Sequence, residues 1–141
     1  MSGLSLALVL FLCTFAFSID TPPVPDEKGR DIGLSEAVTL HKQKILFVDA
    51  RSEDDFKEGH IKGAVSLSVQ TFDDKIEKFR KCYPDTIPLV LYCSGRECSD
   101  SHDLADMFYR KGYFNIRIFV DGYPAWEAAG LPVDTLIKLK R

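Results

Sequence analysis

Three strand-length apolar runs, "KILFVDAR", "IPLVLYC" and "NIRIFVDG", are each followed by a turn and a helical pattern. This alternation constrains the fold more than any other feature of the chain. A run that is apolar on both faces suits a buried parallel strand, and parallel neighbours require crossovers, which are right-handed. The expected class is α/β, a small parallel sheet with helices on both faces. The intervening segments agree. "IGLSEAVTLHKQ" offers Ser35 as an N-cap ahead of Ala37, Val38 and Leu40. "SEDDFKEGHIKGA" reads as a turn and short helix, and "AVSLS" as a further short strand. "FDDKIEKFRKC" sets Phe72, Ile76 and Phe79 at helical spacing. After "IPLVLYC", the residues Leu104, Ala105 and Phe108 mark an amphipathic helix stopped by Gly112. "PAWEAAG" is a last short helix, with Pro124 near its first turn and Gly130 after its end.

The chain has 141 residues, enough for one domain with a sizeable core and too few for two ordinary ones. Hydrophobic residues at 45% and charged residues at 28% exclude a disordered chain, and a net charge of -3 gives no reason to expect a nucleic-acid partner. From Leu4 to Phe17 the sequence "LSLALVLFLCTFAF" carries no charge, and it is followed by the Pro-rich "DTPPVPDEKG". Its 14 residues fit a signal-peptide core better than a membrane span, which needs roughly 20. Ala16 and Ser18 put small residues before a cut at Ile19, whereas the absence of Lys or Arg ahead of the run leaves a short uncleaved anchor open. The expected organisation is a signal peptide or short membrane anchor over residues 1–18, a linker over 19–31, the folded domain over 32–136 and a basic tail over 137–141. The domain is expected to be exported, or tethered through residues 4–17 facing the outer side of a membrane.

Cys13 belongs to the leader, which leaves Cys82, Cys93 and Cys98 in the domain. They do not form the two closely spaced pairs of a zinc site, and an odd number suits no purely structural disulfide scheme. Cys93 ends a strand and precedes a helix. Ligands of open α/β sheets bind at that end, and a helix N-terminus beneath the loop favours an anion, whether thiolate or bound oxyanion. Gly95 gives the loop backbone freedom, and Arg96 can add a fixed positive charge. A small core residue at the end of a buried strand is the other reading of Cys93.

The chain resembles a single rhodanese domain over roughly residues 32–134. "VDAR", with Asp49 and Arg51, resembles the aspartate–arginine pair after the family's first core strand. "EGHIKGA", with His60, resembles its Glu-Gly-His-Ile-x-Gly-Ala turn, and "LVLYC" the strand that delivers the catalytic cysteine. "VDGYPAWEAAGLPV" resembles the closing Gly-Gly-x-x-x-Trp-x-x-x-Gly-x-Pro segment. The resemblance implies a sulfurtransferase with Cys93 as nucleophile, a small sulfur-containing donor, a thiol or cyanide acceptor, and no metal or organic cofactor. The loop residues Ser94, Gly95, Arg96, Glu97 and Ser99 would hold the anion. Asp49, Arg51 and His60 are read as structural residues near the site, and Trp126 and Tyr123 as packing residues. Cys82 is read as a partly buried bystander and His102 as solvent-facing.

The loop "CSGREC" departs from the family's pattern, with Gly95 third, Arg96 fourth and Cys98 sixth. The longer loop of the related phosphatases ends in arginine, and none stands there, which argues against phosphatase activity. Glu97, Asp100 and Asp103 suit the helix dipole but repel a thiolate and an anionic substrate. Thiosulfate is therefore expected to be a poor donor. Cys98 could resolve a persulfide or sulfenic acid on Cys93 to a disulfide, or merely fill a small position. Two rival functions follow: a thiol–disulfide redox protein using Cys93 and Cys98, and a non-catalytic binding module.

Overall fold

The structure, a computed structural model, describes residues 30–137. The expected leader, the expected linker up to residue 29 and the expected tail from residue 138 on lie outside the described residues. No helix among the described residues is long and apolar enough to cross a membrane.

Among the described residues, seven strands and five α-helices follow in order: β1 (Asp31–Ile32), α1 (Leu34–Lys42), β2 (Leu46–Asp49), α2 (Glu53–Glu58), β3 (His60–Ile61), β4 (Val65–Ser66), α3 (Phe72–Cys82), β5 (Leu89–Tyr92), α4 (Asp100–Arg110), β6 (Ile116–Phe119), α5 (Gly122–Ala128) and β7 (Val133–Asp134). β1, β6, β5, β2 and β4 lie side by side in that order and pair in parallel throughout. β3 and β7 form a separate antiparallel pair. The α/β class read from the alternation is the observed one.

Side chains of a strand alternate between faces, so each central strand feeds two cores. Val48, Leu89, Leu91, Ile116 and Ile118 pack on one face with Phe72, Ile76 and Phe79 of α3 and Leu104, Ala105 and Phe108 of α4. Phe47, Val90, Tyr92 and Phe119 pack on the other face with Ala37 of α1 and Trp126 of α5. The continuous apolar runs are thus two interleaved apolar stripes. Cys93 continues the stripe of Leu89 and Leu91, so its side chain points to the face covered by α4.

The helix signals held in most places. Phe72, Ile76 and Phe79 form the buried face of α3. α4 ends just before Gly112, which takes φ 94°, and α5 ends before Gly130 at φ 67°. Ser35 is a correction. α1 starts at Leu34 after an N-cap at Gly33, which has no side chain to cap with, and the Leu34 N–H donates to Asp121 Oδ2 at 3.2 Å. A carboxylate distant in sequence supplies the capping acceptor, which no local pattern around Ser35 reveals. Cys82 is a second correction, being exposed at the end of α3 and not partly buried.

Candidate active site

Three parallel strands end together, and their last residues build one cluster. β2 delivers Asp49 and then Arg51, β5 delivers Cys93, and β6 delivers Asp121. The Cys93–Ser99 loop rises from β5 and drops into the first turn of α4.

The Cys93 side chain is held beneath this loop, the residue being only 2% exposed. Its Sγ lies 3.4 Å from the Cys98 carbonyl oxygen, 3.7 Å from that of Gly95 and 3.4 Å from Ser101 Oγ. The Cys98 N–H donates to the Gly95 carbonyl at 3.0 Å, which turns the loop back over the sulfur. The helix N-terminus beneath the loop led us to expect a site that favours an anion. Two carbonyl oxygens also face the sulfur, and they accept from a thiol but oppose a thiolate. Burial pushes the Cys93 thiol above its ordinary value, and hydrogen bonds from the Ser101 hydroxyl and backbone only partly counter it.

Gly122 fixes how close the loop comes. It takes φ 68°, and a Cβ there would collide with the Cys93 carbonyl oxygen and lie 2.6 Å from the Gly95 nitrogen. The Tyr123 N–H donates to the Cys93 carbonyl at 2.9 Å, so the start of α5 is clasped to the loop.

The proposed anion-binding residues are spread around the loop. Arg96 turns outward, its side chain 67% exposed, and binds Asp121 through Nε at 2.8 Å and through NH2 at 2.7 Å. Its charge is committed to a carboxylate and not to the sulfur. Ser94, Glu97 and Ser99 are exposed, and Gly95 is half-buried at φ 127°. The Ser99 hydroxyl donates to Asp103 at 2.9 Å. Cys98 packs against the core that includes Cys93, and Cys82, Cys93 and Cys98 are all free thiols.

Asp49 and Arg51 form a buried pair. Asp49 accepts from the Arg51 backbone N–H at 3.0 Å and from Arg51 NH2 at 2.7 Å. The guanidinium also donates to the Gly59 carbonyl at 2.6 Å and lies 4.2 Å over the Tyr123 ring. His60 is buried, stacks on Phe56 at 3.7 Å, and donates from Nδ1 to the Phe56 carbonyl at 2.7 Å. His102 lies away from the sulfur, 3.0 Å from Asp31. Trp126 is buried and donates to the Pro132 carbonyl.

A cleft of about 440 Å³ opens in front of Ser94, lined by hydroxyls of Ser52, Ser68 and Thr71, by Arg51, and by the carboxylates of Glu53, Asp55 and Asp100. Among the described residues, no group of three His, Cys, Asp or Glu side chains is placed to hold a metal ion.

Ser101, Asp121 and Gly122 were not singled out from the sequence. Ser101 carried a readable signal, because it stands three residues before Leu104 and four before Ala105, on the apolar face of α4. A serine on that stripe at the first helical turn lies next to whatever ends β5. Asp121 and Gly122 act across loops, and only the assembled fold shows what they touch.

The chain belongs to the rhodanese-like domain family, whose model matches residues 36–129. It is 31% identical over 107 residues to the dual specificity phosphatase Cdc25 of Arabidopsis thaliana, covering 70% of this chain and 73% of that protein. It is 27% identical over 106 residues to the thiosulfate sulfurtransferase GlpE of Haemophilus influenzae, covering 75% of this chain and 95% of that one. A solved structure of a persulfide form of EanB with ergothioneine superposes with a TM-score of 0.63 at 25% identity, over 74% of this chain and 28% of that larger one.

Proposed function

We propose that this domain is a sulfurtransferase in which Cys93 carries sulfane sulfur as a persulfide from a small donor to a thiol acceptor. The observation that carries the reading is the place of Cys93, at the end of β5 beneath the first turn of α4, in a chain of the rhodanese-like family. The Cys93 thiolate attacks the outer sulfur of a persulfide or thiosulfate. A Cys93 S–S bond forms, and the donor's S–S bond breaks, releasing its thiolate or sulfite. An acceptor thiolate or cyanide then takes the terminal sulfur and returns the Cys93 thiolate, with no net oxidation and no role for a metal.

The test is intact mass and peptide mapping of the protein before and after a sulfane-sulfur donor. The expected result is one added sulfur atom on the Cys93 peptide, absent in Cys93→Ser. No retained sulfur with any donor would reject the reading.

The acidic cleft bears on the donor. Glu53, Asp55 and Asp100 line it; Glu53 is paired with Lys75 and Arg51 with Asp49, which leaves Asp55 and Asp100 without a cation partner among the described residues. A dianionic donor meets more repulsion there than a neutral or zwitterionic one. We expect kcat/KM for thiosulfate to be about tenfold or more below that for an uncharged organic persulfide. Equal values in a steady-state comparison would remove the cleft from the argument.

The phosphatase among the relatives prompts a direct check. The only arginine of the loop is held by Asp121, so hydrolysis of an aryl phosphate is expected to stay at background. A dithiol function keeps one observation in its favour, the return of the loop that brings Cys98 round to Cys93. Cys98→Ser separates the two, since sulfur transfer survives that change and a dithiol cycle does not. A binding module would keep its partner in Cys93→Ser. The apolar residues 4–17 support export or an outward-facing membrane tether.

A further inference from the structure

We propose that Ser101 is the positioning residue of the site, its hydroxyl holding the Cys93 sulfur and supplying a hydrogen bond that stabilises its thiolate. The proposal deepens the sulfur-transfer reading and rests on Cys93 being its nucleophile. Ser101 is 1% exposed, and its hydroxyl makes one side-chain contact, with Cys93 Sγ at 3.4 Å. A buried hydroxyl requires a partner, and here the partner is the sulfur.

Ser101 is also the second residue of α4, among the first four whose backbone N–H groups have no acceptor within the helix. Its neighbours His102 and Asp103 donate to the Ser99 carbonyl, which leaves the Ser101 hydroxyl as the group of this turn that meets the Cys93 sulfur. The geometry thus aims one buried hydroxyl at the sulfur. The other close neighbours are the Cys98 and Gly95 carbonyl oxygens, which suit a thiol. When the proton leaves, those acceptors become repulsive, and the Ser101 hydroxyl remains as a donor.

The charged and titratable groups on the surrounding elements do not replace it. Arg96 is bound to Asp121 across from β6, and Arg51 to Asp49 at the end of β2. Asp100 and Asp103 on α4 and Glu97 on the loop carry the wrong sign, and the Cys98 thiol opposes the charged form of Cys93. Ser101 is the remaining side-chain donor at the sulfur among the described residues.

The test is the pH dependence of Cys93 alkylation by iodoacetamide, read by peptide mass so that Cys82 and Cys98 are scored apart. In Ser101→Ala the rate at neutral pH is expected to fall about tenfold, as for a lost hydrogen bond to a charged group. The profile moves to higher pH, and the high-pH plateau matches that of the native chain. Ser101→Thr, which keeps the hydroxyl, is expected to recover most of the rate at neutral pH, with thermal melts confirming that both variants fold. A profile in Ser101→Ala that superposes on the native one would overturn the proposal. So would a rate lowered equally at every pH, which would make the serine a packing residue only. Absence of a persulfide in the native protein would instead reject sulfur transfer and leave the alkylation result to decide the role of Ser101.

Discussion

Gly122→Ala is expected to lower the thermal midpoint by about 10 °C or more and to cut Cys93 persulfide formation by about a hundredfold. Two effects combine. At φ 68° an L side chain meets its own carbonyl, at a cost of about 1–2 kcal/mol. The added Cβ would also run into the Cys93 carbonyl oxygen and sit 2.6 Å from the Gly95 nitrogen. Both obstacles are backbone, so neither can swing aside. The loop must lift or the start of α5 must withdraw, and the Tyr123 N–H bond to the Cys93 carbonyl goes with either movement. Together these place the loss at about 2–4 kcal/mol, within the range where a domain of this size melts roughly 10 °C or more earlier. The activity falls further than the stability requires, because displacing a reacting atom by about 1 Å can cost about a hundredfold. Gly130 supplies the control. It has nearly the same φ, 67°, and nothing within 4 Å of an added Cβ. Gly130→Ala therefore carries the conformational cost alone and is expected to leave persulfide formation unchanged. Equal melting and transfer losses in the two variants, measured by calorimetry and persulfide mass, would show that the close approach at Gly122 has no consequence.

What could be read in the sequence divides along the range of the interactions. Apolar runs and helical stripes depend on residues a few positions apart, so β2, β5 and β6 with α3 and α4 were legible, and with them the parallel sheet. Cys93 was legible as a strand-end residue for the same reason. The capping of α1 was not, because its acceptor is Asp121, 87 residues away. Arg96 shows the same limit in the site. Its position in the loop invited a role toward an anion, but the end of β6 places Asp121 beside it, and the ion pair turns the guanidinium outward. The state of the Cys93 sulfur depends on which way the Gly95 and Cys98 peptides face, a property of backbone angles that residue types alone do not specify. Ser101 was within reach of pattern reasoning, as a polar residue on an apolar stripe.

Removing one member of the Asp49–Arg51 pair is expected to cost about 3–5 kcal/mol, and removing both far less than the sum. The Asp49 side chain is fully buried and that of Arg51 is 10% exposed. Taking charges out of water is expensive, and the geometry offsets it: Asp49 receives the Arg51 backbone and guanidinium, and Nη2 also reaches the Gly59 carbonyl. In Asp49→Leu the guanidinium keeps its charge and loses its counter-ion. In Arg51→Met a carboxylate is stranded between β5 and β4, next to Tyr92. Asp49→Leu with Arg51→Met leaves two apolar side chains of similar volume, which can pack against Tyr92 and Tyr123, the rings near the guanidinium. Chemical denaturation of the four proteins closes a double-mutant cycle, and a coupling of about 2 kcal/mol or more is expected. The same double variant separates structure from chemistry. Arg51 also lines the cleft in front of Ser94, yet its Nε and Nη2 donors are already taken by Asp49 and Gly59. A folded double variant should therefore still form the Cys93 persulfide. If it folds and fails to do so, the Arg51 guanidinium contacts the sulfur donor, and the pair is part of the catalytic site and not its scaffold.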